Sequence, residues 1–235
     1  MRSFGTSARG GRAWLIGPAL GCGIVCLLFL TASSAPALNG TVLDDKSKPV
    51  KDAVVFMTAV GSDSPPAPRT RVVVMDQQDR EFVPYVLPIE VGTAVNFPNK
   101  DDIKHHVYSF SEPKKFELPL YGGGQVPPPI TFDKPGVVVL GCNIHDWMLA
   151  YVLALQTPYF ATTDSRGTWR VNGLPVGNYE ARVWHPLMRQ EMDQTTQRLA
   201  LSPSEPANVR FVIALKRDIR RPRPVVPDYD RRGSP

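Results

Sequence analysis

Short apolar runs, rich in valine, phenylalanine and tyrosine, recur along most of this 235-residue chain and are separated by proline and glycine. No apolar segment with the 3.6-residue period of an amphipathic helix follows the first 37 residues. Runs of this length between turn-forming residues are typical of β-strands, so the chain is expected to be almost entirely β. The clearest runs are residues 53–60, 71–75, 93–97, 136–140 and 149–155.

The first 37 residues have the character of an export signal. Three arginines and no acid precede a largely apolar stretch at residues 13–31. Ala35-Pro36-Ala37 then matches the small-residue pattern of a signal cleavage site. We expect a periplasmic or otherwise exported protein that begins near Leu38 and has no stable membrane insertion after cleavage. The alternative is an uncleaved anchor, because residues 14–31 approach the length of a membrane span.

The formal net charge of +5 arises at the two ends of the chain. Residues 1–37 carry three basic residues and no acid, and residues 216–235 carry seven basic and three acidic residues, which leaves the remainder near −2. A nucleic-acid-binding domain carries its basic residues on a folded face, so no nucleic-acid partner is expected. Residues 216–235, rich in arginine and proline, are expected to form a disordered tail.

The positions of the three cysteines indicate a function for one of them. Cys22 and Cys26 fall inside the predicted signal, which leaves Cys142 alone in the mature chain. A lone thiol in an oxidising compartment has no disulfide partner, and metal ligation is a task that would protect it.

Cys142, His145 and Met148 follow one another in three-residue steps, and the pair His105-His106 begins 37 residues before the cysteine. One loop after a strand can bring the first three to a single point. A thiolate, a thioether and two imidazoles form the trigonal His2Cys plane with a weak axial methionine that selects copper. Because side chains alternate along a strand, only one of His105 and His106 can face the metal.

Two other interpretations of these residues stay open. Cys142 and Met148 are also residue types that fill apolar cores, and in that role they need no metal. Cysteine and histidine also suit zinc, although methionine is a poor zinc ligand.

Two segments carry a family resemblance. Residues 95–107 form an apolar strand, an asparagine, a loop and a histidine, and residues 132–142 form a Pro-Gly turn and a strand that ends at the cysteine. Both resemble the cupredoxins, the blue copper proteins of the amicyanin and plastocyanin kind. The resemblance covers residues 71–155 and implies a Greek-key β-sandwich that binds one copper ion per chain.

The resemblance also implies roles for individual residues. The copper ligands would be His105, Cys142, His145 and Met148. His106 stands where the family has asparagine, and His106 and Asn99 are expected beside the ligands. Trp147 is expected in a small patch that docks a redox protein partner.

The flanking segments resemble another β-sandwich. Residues 38–55 and 162–184 are similar to hairpins of carboxypeptidase regulatory-like, transthyretin-like domains. Residues 38–61 and 156–215 are therefore expected to form one split sandwich, with a cupredoxin-like domain at residues 69–155 inserted in it. The alternative is two sequential, fused domains, in which residues 38–60 supply the first cupredoxin strands. The whole arrangement resembles exported proteins labelled methylamine utilisation proteins.

The resulting expectation is a non-enzymatic copper protein that transfers single electrons. Four histidines are too few for the paired His-x-His segments of a multicopper oxidase, and Gly122-Gly123-Gly124 lacks the lysine and helix of a phosphate-binding loop. The alternative is a copper-binding, assembly or envelope-interaction module, in which copper is structural or is delivered to an envelope protein.

Overall fold

A computed structural model of the protein describes residues 37–61, 71–202 and 208–218. Residues 1–36 of the predicted signal segment, the proline-rich stretch at residues 62–70 and most of the predicted tail lie outside these residues, and the expectations for them stay predictions. In the described part of the chain, no helix is both long and apolar enough to cross a membrane.

The regular structure of the described residues consists of strands and one turn of 3-10 helix at Met192–Thr195, which confirms the prediction of an all-β chain. The strands are β1 (Leu38–Asp44), β2 (Val54–Ala59), β3 (Val72–Val74), β4 (Asp76–Gln78), β5 (Glu81–Val83), β6 (Val86–Glu90), β7 (Ala94–Asn96), β8 (His105–Ser109), β9 (Phe116–Tyr121), β10 (Ile130–Thr131), β11 (Gly136–Gly141), β12 (Leu149–Leu155), β13 (Phe160–Thr162), β14 (Thr168–Val171), β15 (Gly177–Trp184), β16 (Gln197–Leu201) and β17 (Asn208–Ile213). Each of the five apolar runs singled out above matches one of these strands to within one residue at either end.

Residues 71–155 form a β-sandwich. A five-stranded sheet in the order β6-β12-β11-β8-β9 packs on a three-stranded sheet in the order β10-β7-β3. Their shared core contains Phe97 from one side and Val107 and Val138 from the other. Side chains alternate along β8, so His105 and Val107 point into this core while His106 faces outward.

Two further sheets enclose a second core. They have the orders β14-β1-β17 and β13-β2-β15-β16, and their buried residues include Met57, Trp169 and Phe211. Strands β1 and β17 pair in parallel, so segments from before residue 71 and after residue 155 meet in this sandwich. The described residues lie in one compact unit. The predicted domain limits stay predictions.

Strand β12 is buried on both faces. Val152 and Ala154 belong to the core that contains Phe97, whereas Leu153 and Leu155 belong to the core that contains Trp169. On the same face as Leu153, the ring of Tyr151 packs edge-on against Trp184 at 5.8 Å between centroids. The continuous apolar composition of this strand is therefore required by two cores at once.

Candidate metal centre

The end of β11 delivers the central residue of the site. The strand ends at Gly141, Cys142 follows it, and the loop closes when the backbone N–H of Met148 donates to the carbonyl of His145 at 2.9 Å. The ring of Tyr108 lies over Gly141, where a Cβ atom would come within 2.8 Å of it. Glycine at this position lets the ligand strand pass close beneath an aromatic ring.

Three donor atoms converge at this loop. The Nδ1 atom of His105 lies 3.1 Å from the Nδ1 atom of His145. The Sγ atom of Cys142 lies 4.0 Å from the former nitrogen and 3.8 Å from the latter. These three residues form the one group of candidate metal ligands found among the described residues.

The triangle has the dimensions that a metal ion requires. The point equidistant from its three corners lies about 2.1 Å from each atom, between a metal–nitrogen bond of about 2.0 Å and a metal–sulfur bond of about 2.3 Å. An ion in the plane of the three atoms would therefore meet all three at bonding distance. The donor set, one thiolate and two imidazoles, fits copper.

Met148 lies at the end of the loop that begins at Cys142. Its side chain is buried in the same core as Cys142. The hydrogen bond from its backbone N–H to the carbonyl of His145 fixes the turn on which it lies. A thioether is a soft, weak ligand of the kind found on the axis of a trigonal copper site. The role of Met148 as the fourth ligand stays a prediction.

The site is closed toward the core and open at one edge. His105 is 0% exposed and Cys142 is 3% exposed, whereas His145 is half-buried. The ring of Trp147 packs against His145 with 5.2 Å between centroids. Next to it, Ile144 is 50% exposed. The edge of His145 is therefore the ligand surface nearest to solvent.

Asp101 determines the tautomer of His105. Its Oδ2 atom lies 2.7 Å from Nε2 of His105. A carboxylate can only accept, so Nε2 carries the proton and the lone pair of Nδ1 is available to a metal. The loop that carries Asp101 is held by Asn99, whose side chain accepts from the Asp101 N–H at 2.9 Å and donates to the carbonyl of Ile103 at 2.7 Å.

Burial and hydrogen bonding change the pKa values of the ligands. Burial acts to raise the pKa of the Cys142 thiol, but the hydrogen bond with His105 and the backbone N–H groups of His106, Ile144 and His145 outweigh it and lower the pKa below its usual value. Burial and the nearby charges on His105 and Arg80 lower the pKa of His145. These two shifts favour the thiolate of Cys142 and the neutral imidazole of His145, which are the ligating forms. Burial acts to lower the pKa of His105, but the hydrogen bonds with Cys142 and Asp101 outweigh it and raise the pKa.

His106 contributes through its backbone rather than its ring. Its backbone helps to lower the pKa of the Cys142 thiol, while its Nε2 atom lies 2.9 Å from Oε1 of Glu117 on β9. The side chain therefore points away from the triangle, as the alternation along β8 requires. Of the two adjacent histidines, His105 alone reaches the candidate ligands.

A groove of about 460 Å³ lies beside the metal triangle on the outer face of the five-stranded sheet. Cys142 and Met148 line one part of it, and the rings of Tyr108 and Phe110 line another. Those rings contact each other with 5.1 Å between centroids and an interplanar angle of 43°, and Phe110 is 75% exposed.

The sequence interpretation missed Asp101. An acid four residues before a candidate ligand histidine is the signal that could have found it, since metal-bound histidines commonly donate their second N–H to a carboxylate. It also missed the rings of Tyr108 and Phe110 in the groove. Two aromatic residues on the outward face of a strand leave no hydrophobic pattern that distinguishes them from other surface residues.

No protein-family model matches this chain, and no curated protein matches it. Solved structures to which part of the chain is similar include the Cu-containing nitrite reductase NirK from Thermus scotoductus SA-01, with 27% identity, 48% of this chain and 28% of that chain covered, and a TM-score of 0.34. The chain thus spans about 28% of the length of that enzyme.

Two smaller proteins are also similar over part of this chain. Amicyanin from Paracoccus versutus is 19% identical, with 43% of this chain and 98% of that chain covered and a TM-score of 0.33. The purple cupredoxin from Nitrosopumilus maritimus is 23% identical, with 37% and 100% covered and a TM-score of 0.31. The structural neighbours are cupredoxins, whereas the carboxypeptidase regulatory-like resemblance and the methylamine utilisation association stay predictions.

Proposed function

We propose that this chain is an exported, mononuclear type 1 copper protein that transfers single electrons. The observation that carries the proposal is the triangle formed by Nδ1 of His105, Nδ1 of His145 and Sγ of Cys142, whose sides are 3.1, 3.8 and 4.0 Å. One ion at its centre would have a trigonal donor set that suits copper, with Met148 as the axial ligand.

The bound copper would supply a one-electron couple between Cu(I) and Cu(II). The protein supplies a thiol whose pKa, although burial acts to raise it, is lowered by hydrogen bonding with His105 and with the backbone of His106, Ile144 and His145. It also supplies two imidazoles, that of His105 on β8, which is wholly buried, and that of His145 on the loop after β11. Because the donors are already in place, little movement is needed when the charge of the ion changes, and this favours fast electron transfer.

The edge of His145 is the proposed point of electron exit. His145 and Trp147 are half-buried, and Ile144 exposes 50% of its surface beside them. Electron-transfer encounters use small interfaces, for which an apolar patch of this kind is sufficient. The proposed partner is a redox protein in the same exported compartment.

The proposal is that the chain by itself is not an enzyme. Its candidate ligands lie in one mononuclear group within the described residues, and two of them, His105 and Cys142, are almost wholly buried. The groove that reaches Cys142 is lined by Tyr108 and Phe110, and the part of the chain that the structure describes holds no second group of candidate metal ligands.

The test is a Cu(II) titration of the mature protein followed by visible absorption and electron paramagnetic resonance. We expect an intense thiolate-to-copper band that saturates at one copper per chain and is absent in Cys142→Ser. Reversible voltammetry with rapid exchange between two copper-loaded proteins would then support electron transfer. A colourless protein without stoichiometric uptake would refute the copper site, and slow redox with easy copper release to a chelator would favour copper delivery instead.

A further inference from the structure

The turn between β4 and β5 lies against both ligand segments of the metal centre. Its two central residues, Asp79 and Arg80, have left-handed backbone conformations with φ of 55° and 59°. Their N–H groups point the same way and donate to the carboxylate of Asp101, at 2.6 Å to Oδ1 and 2.8 Å to Oδ2. The turn therefore holds the carboxylate with two backbone donors.

The same carboxylate holds one ligand. Oδ2 of Asp101 accepts from Nε2 of His105 at 2.7 Å, and His105 is wholly buried. Asp101 thus links a candidate ligand on β8 to a backbone turn more than 20 residues earlier in the chain.

The other side of the turn holds the second ligand segment. The carbonyl of Arg80 accepts from Nε1 of Trp147 at 3.1 Å, and the ring of Trp147 packs on His145 at 5.2 Å between centroids. The backbone of Arg80 therefore donates toward the segment that carries His105 and accepts from the segment that carries His145. The Nδ1 atoms of the two histidines on these segments are 3.1 Å apart.

We propose that the Asp79–Arg80 turn is a brace that holds the two histidine ligands at a set separation, with Asp101 and Trp147 as its positioning residues. This inference rests on the proposed copper function and goes beyond it, because it assigns control of the copper potential and affinity to residues that do not bind the metal.

The two arms of the brace have different chemistry. Asp101 brings negative charge to the far side of the His105 ring, which makes the imidazole more basic and stabilises Cu(II) more than Cu(I). Trp147 is neutral and orients the ligand loop, so its hydrogen bond affects both oxidation states alike. Removing either arm should give a distinct signature.

The Asp101 arm is tested with Asp101→Asn and the matched control Asp102→Asn, which removes the same charge from the exposed neighbouring residue. Asp101→Asn should lower Cu(II) affinity by about 10- to 100-fold. Each tenfold loss confined to Cu(II) raises the midpoint potential by about 59 mV. Asp102→Asn should change both quantities little. Equal shifts in the two variants, or none in Asp101→Asn, would overturn the inference.

The Trp147 arm is tested with Trp147→Phe, which keeps a ring beside His145 but removes the donor to Arg80. We expect about a fivefold loss of affinity for both copper states, the size of one hydrogen bond, with the potential almost unchanged. Trp169→Phe, in the other core, is the control and should leave copper affinity unchanged. Unchanged affinity in Trp147→Phe would contradict the brace.

A measurement on the wild-type protein covers the case in which Asp101→Asn fails to fold. In the diamagnetic Cu(I) form, the Nε2 proton of His105 should give an NMR signal that exchanges slowly with solvent, since Asp101 accepts it in a buried position. Rapid exchange would overturn the inference. A wild-type protein that binds no copper would instead refute the proposed function, so the two failures are distinguishable.

Discussion

The Nδ1 atoms of His105 and His145 face each other at 3.1 Å, although the two residues are 40 positions apart in the chain. Two imidazole nitrogens this close cannot both carry protons without repulsion. Burial and the charge on His105 accordingly lower the pKa of His145. A pair held in this way is suited to sharing one metal cation.

Replacing His145 should damage the metal site far more than replacing His106. His145→Ala removes one corner of the ligand triangle, so the thiolate-to-copper band should be lost or shifted and Cu(II) affinity should fall by more than 100-fold. His106→Ala is the matched control, because its side chain contacts Glu117 rather than the candidate ligands and its backbone is retained. Visible absorption during a copper titration checks both. An unchanged band in His145→Ala would remove this residue from the ligand set.

Gly123→Ala should destabilise the protein and weaken copper binding. A Cβ atom at Gly123 would come 2.0 Å from the backbone oxygen of Asp101, so one of the two loops must move. Overpacking of this kind costs about 2 kcal/mol, and the displaced loop carries the partner of His105. Chemical denaturation and copper titration measure the two effects.

The control for that substitution is Gly122→Ala. The nearest atom to a Cβ there is 3.9 Å away, on the side chain of Gln125, so the change should be tolerated. If the two variants unfold at the same denaturant concentration, the close approach of Gly123 to Asp101 does not limit which residue the protein tolerates there, and the prediction is wrong.

Leu153→Ala should destabilise both sandwiches together. Leu153 is 0% exposed and packs in the core opposite to the one that contains the copper ligands, but it lies on β12, which both cores share. Its truncation should cost about 3 kcal/mol. Copper absorbance and far-ultraviolet circular dichroism should fall in one coincident transition.

Val139→Ala provides the comparison on the neighbouring strand. Val139 is 39% exposed, so little packing is lost there. Separate transitions for the two signals in Leu153→Ala would show that the sandwiches unfold independently.

Tyr121 should resist ionisation at alkaline pH. Burial raises its pKa to about 12, although the hydrogen bond with Gln77 acts in the opposite direction. An unfolded chain loses this proton near pH 10, so this residue's contribution to stability is fully present below about pH 10 and is lost as the pH rises toward 12. Ultraviolet difference titration should show one tyrosine that ionises last and that is absent in Tyr121→Phe. A titration of Tyr121 at its ordinary pKa would contradict the buried hydroxyl that donates to the Phe97 carbonyl.

The strand content and the ligand loop are local properties, and the sequence by itself determined them. Runs of apolar residues between turn formers predict strands because backbone propensity and burial act over a few residues. The three-residue steps from Cys142 to His145 and Met148 likewise place candidate ligands on one loop. Alternation along β8 allowed only one of two adjacent histidines to face inward, and the family resemblance indicated His105.

Only the tertiary structure decided which distant groups support those ligands. The contact of Asp101 with the Asp79–Arg80 turn and the hydrogen bond from Trp147 to Arg80 join residues more than 20 positions apart, and no periodic pattern encodes them. The burial of β12 between two cores also depends on tertiary structure. Its apolar run is visible in the sequence, but the contact between the rings of Tyr151 and Trp184 is not. Such contacts depend on how whole sheets pack, which is a property of the complete chain rather than of any segment.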